Sequence, residues 1–148
     1  MLMTAAIRSA PLKPDVPKLL SRARAIAEIV HARVQETEAN RRIADDVIAH
    51  MREAGLFRVL QPQAYGGFEY GFDVFAELVA TIGRGCGSSA WVYGLGAVHQ
   101  WFVACFPKEA QEEFWGRSRR HCSGVLCAGR QDAGSRRRLS DLWSVGLR

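Results

Sequence analysis

Residues 90–106 read AWVYGLGAVHQWFVACF, an apolar run in which only His99 and Gln100 are strongly polar. A helix that is apolar almost all round is typical of the interior of a domain. The two polar residues interrupt the run, and its length is borderline for a bilayer, which argues against a membrane span. The run therefore predicts a helix at the buried centre of the domain, with Ser88 or Ser89 as its cap.

Two amphipathic patterns upstream of this run predict further helices. Pro17 stands at a first-turn position, where a missing N–H group is tolerated. A second helix has Asp45 and Asp46 in its first turn and Gly55 at its end. Both helices carry apolar residues at helical spacing. These residues are Leu19, Leu20, Ala23, Ile26, Ala27, Val30 and Val34 in the first helix, and Ile43, Val47, Ile48 and Met51 in the second.

Residues 56–67 predict a loop and not a strand, because Pro62 ends their apolar pattern and Tyr65-Gly66-Gly67 favours a tight turn. Asp73 suits the start of the next helix. The residues of that helix expected to face inward are Phe75, Leu78, Val79 and Ile82.

A last short helix is predicted from Pro107 through Phe114, ending at Trp115-Gly116. Together these patterns predict an all-α fold, a helical bundle of about five helices. Residues 1–17, with three prolines, are expected to form a mobile arm, and residues 18–116 the helical domain. Residues 117–148 are expected to form an irregular Arg-rich tail.

The excess of basic residues is confined to this tail. The whole chain has a net charge of +5, whereas residues 117–148 contain eight arginines and two aspartates. Residues 1–116 contain 12 basic and 13 acidic residues and are almost neutral. A short basic tail without interleaved aromatic residues is a weak signal for nucleic acid, so no nucleic-acid partner is expected.

The cysteines indicate a reducing compartment. Cys86, Cys105, Cys122 and Cys127 contain no Cys-x-x-Cys pair, and no apolar run near residue 1 is long enough for a secretory signal. We therefore expect a cytoplasmic protein. A zinc set could be drawn from His121, Cys122 and Cys127, but the spacing fits no standard site and a fourth ligand is lacking, so no metal is predicted.

His99 is the clearest candidate for chemistry. An imidazole in an apolar helix must find a hydrogen-bond partner in the core or face a pocket, and the residues alone leave both alternatives open. If His99 faces a pocket, its neighbours one turn away are Leu95, Gly96, Phe102 and Val103, an apolar lining suited to a flat ligand.

The aromatic residues of the same helix allow two interpretations. Trp91, Tyr93 and Trp101 could pack in the core, which is the usual role of such a set, or line a flavin or phenol pocket. The glycines at 66–67 and 83–87 match no phosphate-binding loop or dinucleotide motif, because no strand precedes them. They are interpreted as turns.

Four motifs in order resemble the start of two-component flavin-dependent monooxygenases of the acyl-CoA dehydrogenase-like group. They are LQPQAYGG at 60–67, CGSSAW at 86–91, VHQW at 98–101 and AQEEFWG at 110–116. The group includes oxygenases that hydroxylate 4-hydroxyphenylacetate and the steroid-derived phenol of bacterial cholesterol breakdown. The resemblance covers residues 23–116.

The resemblance implies a hydroxylase that uses reduced FMN or FAD and oxygen on a phenolic substrate. It implies a separate flavin reductase as partner and a homotetramer for full-length members. His99 would be the catalytic residue that helps the substrate hydroxyl lose its proton. Trp91 and Trp101 would contact the cofactor.

After Gly116 the chain departs from the family, whose members continue with a β-domain that typically contains a Gly-Gly-Tyr-x-Ile-x-Gly-x-Trp strand. With suitable codons, residues 136–145 read one nucleotide later can spell that strand. We therefore expect a frameshifted or truncated gene and a chain that retains no flavin alone. The alternatives are a fragment of an acyl-CoA dehydrogenase and a non-enzymatic helical interaction domain with a basic tail.

Overall fold

The structure, a computed structural model, describes residues 13–121, with side chains through Gly116. These residues form six α-helices and no strand, which confirms the all-α prediction with one helix more than expected. The helices are α1 (Val16–Ala32), α2 (Val34–Asn40), α3 (Asp45–Glu53), α4 (Phe72–Gly83), α5 (Gly87–Ala104) and α6 (Lys108–His121). Two single 3-10 turns, Leu56–Arg58 and Gln63–Tyr65, lie between α3 and α4.

Helix α1 begins at Val16, with Pro17 in its first turn as predicted. The side chain of Asp15 caps it by accepting a hydrogen bond from the Lys18 backbone N–H at 2.9 Å. The helix ends earlier than expected, because the backbone leaves helical geometry at Arg33. Residue 34 therefore starts α2, a helix that the sequence did not predict because VQETEAN has no apolar stripe.

Helix α3 has the predicted acidic first turn and ends before Gly55, whose φ of 77° is left-handed. Arg22 of α1 donates a hydrogen bond to the carbonyl oxygen of Ala54 at 2.9 Å, which ties the end of α3 to α1. Of the four apolar residues predicted for this face, Val47 and Met51 are buried and Ile48 is partly buried. The fourth, Ile43, is also buried but lies before the helix begins.

The loop between α3 and α4 contributes to the core. Its prediction as a loop is confirmed, and hydrogen bonds from the Phe68 and Tyr70 N–H groups to the carbonyl oxygens of Arg58 and Val59, both 2.8 Å, hold it together. The tight approach of Gly67 to Gln61 leaves no room for a β-carbon. The loop buries Leu56, Phe57, Val59, Leu60 and Phe68.

Helix α4 packs against both α1 and α5. It begins at Phe72, one residue before the predicted start, and Asp73 lies in its first turn. Leu78 and Ile82 are buried as predicted, whereas Phe75 and Val79 are only partly buried. Val74 and Thr81 are buried in their place, because α1 and α5 pack against that side of α4.

Helix α5 differs from its prediction in two respects. It begins at Gly87 after Cys86, so neither predicted serine is the cap. Ser88 instead donates a hydrogen bond to a carboxylate oxygen of Glu38 at 2.8 Å, and Ser89 is fully buried. The prediction of a helix buried all round is also wrong, since Trp91 is 69% exposed. The neighbouring elements cover one face only.

Helix α6 starts at Lys108 and continues to His121, past the predicted end at Trp115-Gly116. Within the described residues, no helix is both long and apolar enough to cross a membrane. No group of three or more His, Cys, Asp or Glu side chains in that part of the chain is placed to hold a metal ion. Residues 1–12 of the expected arm, the Arg-rich tail from 122 and the set His121, Cys122 and Cys127 lie outside the described side chains.

Candidate active site

The uncovered face of α5 presents an apolar stripe, defined as Trp91, Leu95, Val98 and Phe102. These residues follow one another at intervals of four, three and four, so they lie on one side of the helix. Trp91 is 69% and Phe102 44% exposed, while Leu95 and Val98 are partly buried. The opposite side of α5 packs on α4 and on the first 3-10 turn.

His99 lies at the edge of this stripe and is partly buried. Its ring centroid is 5.9 Å from that of Phe102, with the two planes tilted by 41°. Burial lowers the pKa of His99, because the charged imidazolium loses solvation. A neutral imidazole is therefore favoured at neutral pH, and a neutral ring nitrogen can accept a proton.

The expected lining around His99 is only partly present. Leu95 and Phe102 belong to the exposed stripe, but Val103 is buried in the core. Gly96 serves close packing instead, because a β-carbon there would come within 2.7 Å of the Phe57 ring. The apolar wall beside His99 is thus formed by Leu95 and Phe102. Gly96 instead allows Phe57 of the loop to pack closely against α5.

The two tryptophans predicted to contact a cofactor are at opposite ends of α5. Trp101 is 41% exposed, and its ring lies edge-on to Phe72 at 5.3 Å and 5.4 Å from Phe102. Ten residues of helix separate it from Trp91, a rise of about 15 Å. The structure therefore brings Trp101, but not Trp91, to the end of the helix that carries His99.

Tyr93, the third aromatic residue of the run, belongs to the core. It is fully buried between the rings of Phe57 and Phe75, with centroid distances of 5.7 and 6.4 Å. Its hydroxyl points to the Leu56 carbonyl oxygen at 3.4 Å, and burial raises the pKa of the phenol. Its role is packing, one of the two interpretations that the sequence allowed.

Gln100 and Trp115 form a buried polar pair that the sequence analysis missed. The indole Nε1–H of Trp115 donates to Oε1 of Gln100 at 3.0 Å, and both side chains are buried. A glutamine within an apolar helix needs such a partner, because an unpaired buried amide is costly. That requirement was visible in the sequence, but the identity of the partner was not.

The arrangement suits the binding of a planar ring. The exposed ring of Phe102 can stack on a flat ligand, and the imidazole of His99 beside it can accept a hydrogen bond from a ring hydroxyl. Trp101 offers an exposed ring on the other side of Phe102. These residues fit one wall of a flavin or phenol site. All four residues of the apolar stripe are uncharged, which also suits a neutral ring system.

Comparison with known proteins gives relatives of one kind. The chain is 40% identical over 97 residues to the flavin-dependent monooxygenase oxygenase subunit HsaA of Rhodococcus jostii, covering 66% of this chain and 25% of that protein. It is 35% identical over 113 residues to the FADH2-dependent resorcinol hydroxylase oxygenase component of a Rhizobium species, covering 76% and 27%. The chain spans about a quarter of the length of these relatives.

Solved structures agree with this similarity. The 3-HSA hydroxylase from Rhodococcus sp. RHA1 superposes with a TM-score of 0.65 at 39% identity, over 67% of this chain and 26% of that one. The HsaA monooxygenase from M. tuberculosis superposes with a TM-score of 0.67 at 34% identity, over 70% and 28%. Residues 16–118 match the family described as acyl-CoA dehydrogenase, N-terminal domain. The chain therefore belongs to this family.

Proposed function

We propose that this chain is the amino-terminal domain of the oxygenase component of a flavin-dependent monooxygenase that hydroxylates a phenolic compound. The observation that carries the proposal is the position of His99 at the edge of an exposed apolar stripe. Partial burial there lowers the pKa of its imidazole. That is the arrangement a phenol needs, with an apolar surface for its ring and a proton acceptor for its hydroxyl. The relatives are named as a monooxygenase and a hydroxylase, which points to the same reaction.

His99 would accept the proton of the substrate hydroxyl and so make the ring more nucleophilic. Phe102 and Leu95 would keep water away from the reacting ring. Trp101, and at the other end of the helix Trp91, would contact the flavin. Reduced FMN or FAD, when bound, would supply the two electrons that activate O2, so that one oxygen atom can go to the ring and the other to water.

The partners follow from the same proposal. An oxygenase component requires a separate flavin reductase, and the resorcinol and p-hydroxyphenylacetate hydroxylases among the relatives are named as oxygenase components. We further propose a homotetramer for the full-length protein and a cytoplasmic location. One exposed stripe is a single wall, so this chain alone is expected to retain no flavin, and a yellow purified chain would contradict this.

A chimera tests the proposed function. Residues 16–118 would replace the matching segment of the Rhizobium resorcinol hydroxylase, and resorcinol hydroxylation would be measured with reduced FAD. Changing His99→Ala in the chimera should lower kcat about 100-fold, the usual scale for loss of a general base. The control is His50→Ala, which alters an exposed histidine of α3 and should leave kcat unchanged.

Two results would contradict the role of His99. One is a His99→Ala chimera as active as the His50→Ala control. The other is a loss of activity matched by an equal loss of folded protein, since that would make His99 a structural residue. Thermal unfolding of both chimeras by circular dichroism separates these cases.

A further inference from the structure

The C-terminal end of α5 is held by an aromatic and amide cluster, defined as Tyr65, Gln100 and Trp115. Gln100 is fully buried, and its Oε1 accepts the hydrogen bond from the Trp115 indole. The Tyr65 ring stacks on the Trp115 ring, with centroids 4.5 Å apart and planes 28° from parallel. One side chain of α6 is thereby fixed between α5 and the second 3-10 turn.

A second contact of α6 supports the same corner. Gln111, one turn before Trp115, donates from its Nε2 to the carbonyl oxygens of Ala104 at 2.9 Å and Phe106 at 2.8 Å. The last carbonyl groups of a helix have no partner within it, so this amide caps the end of α5. Two residues on one face of α6 therefore fix how far α5 extends and how it is rotated.

This anchoring bears on His99 because it precedes Gln100 in the chain. Successive side chains of a helix point about 100° apart. With Gln100 held inward by Trp115, His99 is turned to the edge of the apolar stripe, where it contacts Phe102. A rotation that released Gln100 would carry His99 with it.

Packing alone does not explain the choice of glutamine. The Nε2 group of Gln100 is buried and has no hydrogen-bond partner among the described residues. An amide whose NH2 group has no acceptor is less favourable in a core than an apolar side chain of similar size. A directional hydrogen bond, in contrast, specifies one orientation of α5 relative to α6.

Resting on the proposed role of His99, we propose that Gln100 is a positioning residue that acts through the Trp115 indole to set the placement of His99. In this proposal the cluster orients α5 from its buried side, and the reacting groups lie on the exposed face of the helix. Tyr65 contributes its ring to the stack, and its hydroxyl makes no hydrogen bond to the residues that the structure describes.

The test uses NMR on the full 148-residue chain. Gln100→Leu removes the acceptor, Trp115→Phe removes the donor but keeps a ring to stack on Tyr65, and Tyr65→Phe is the matched control. The imidazole of His99 would be titrated in each variant, and the exchange rate of the Trp115 indole proton measured in the chain itself, in Gln100→Leu and in Tyr65→Phe.

We expect the pKa of His99 to rise toward that of an exposed histidine in Gln100→Leu and in Trp115→Phe, because the ring becomes better solvated. The indole proton should exchange about fivefold faster in Gln100→Leu, as for loss of one hydrogen bond. Tyr65→Phe should change neither. An unchanged His99 titration in folded Trp115→Phe would overturn the proposal.

These outcomes do not depend on hydroxylation. If Gln100→Leu does not fold, Trp115→Phe still decides, since it is the milder change. If the pKa of His99 changes in the variants while the His99→Ala chimera stays fully active, the proposed function is wrong and the positioning role of Gln100 is supported. If the His99→Ala chimera loses activity but the pKa of His99 is the same in all variants, only the positioning role of Gln100 is wrong.

Discussion

Two glycines of this fold differ in whether a larger side chain can be accommodated. At Gly67 an added β-carbon would lie 1.9 Å from the carbonyl oxygen of Gln61, which is a backbone atom that cannot move aside. At Gly116 an added β-carbon would meet no atom within 4 Å. The two glycines belong to the first and the last of the four motifs of the sequence resemblance, yet their surroundings predict opposite responses to the same substitution.

Gly67→Ala should lower the free energy of unfolding by about 2 kcal/mol, because the turn must open to admit the methyl group. Gly116→Ala should raise it by about 0.5–1 kcal/mol, since alanine favours the interior of a helix. Urea unfolding followed by circular dichroism measures both. Equal effects of the two substitutions would show that the turn is not as tight as the structure has it.

Tyr93 gives the domain an alkaline limit. Burial raises the pKa of its phenol above the value of about 10 that it has in the unfolded chain. The unfolded state therefore loses this proton first as the pH increases, and the free energy of unfolding falls above about pH 10. Below that pH the contribution of Tyr93 is complete.

Tyr93→Phe should remove this part of the pH dependence. The variant keeps the ring contacts with Phe57 and Phe75 and loses only the hydroxyl, which lies 3.4 Å from its acceptor. Urea unfolding between about pH 8 and about pH 11 compares the two proteins. Identical slopes would mean that Tyr93 ionises as readily in the folded protein as in the unfolded one.

At the scale of elements, α5 combines a core helix and an exposed helix in one segment. Its inner face carries Tyr93 and Gln100, and its outer face carries the apolar stripe. The sequence predicted the helix itself because its apolar content is a local property. It could not predict which face is covered, because both faces are apolar and the choice depends on α4 and the loop.

The outer face should govern self-association of this chain. Replacing Trp91 and Phe102 together with glutamine removes the two most exposed rings of the stripe. We expect less self-association by light scattering, and a free energy of unfolding unchanged within about 0.5 kcal/mol. Glu28→Gln on the exposed side of α1 is the control. Unchanged scattering would place the association surface elsewhere.

At the scale of the whole molecule, the described domain and the tail differ in kind. Residues 1–116 are nearly neutral, whereas residues 117–148 contain eight arginines and two aspartates. The family match ends at residue 118, close to this change. The sequence predicts a shift of reading frame near that point, which would account for both observations.

The nucleotide sequence from codon 100 onward tests this explanation. We predict an open frame, displaced by one nucleotide, that encodes the Gly-Gly-Tyr-x-Ile-x-Gly-x-Trp strand across codons 136–146 and continues beyond the present last codon. The function would then be that of the restored oxygenase. A closed frame would instead favour the helical interaction domain with a basic tail.

The sequence by itself determined the all-α class, the positions of α1, α3, α4 and α5, and the family. Each of these depends on local signals, such as a period of 3.6 residues, a proline or glycine at a boundary, or a short motif. His99 was also found in this way, as a polar residue in an apolar run. Its catalytic role remains a prediction that the chimera tests.

Only the tertiary structure decided which residues surround His99. Val103 is buried in the core, Trp91 is left exposed on the uncovered face of α5, and Trp115 of the next helix donates a hydrogen bond to Gln100. The loop supplied Phe57 and Tyr65, which no periodicity marked as core or anchor. These contacts join residues 15 to 50 positions apart, and their energy depends on packing between elements, which a local pattern does not encode.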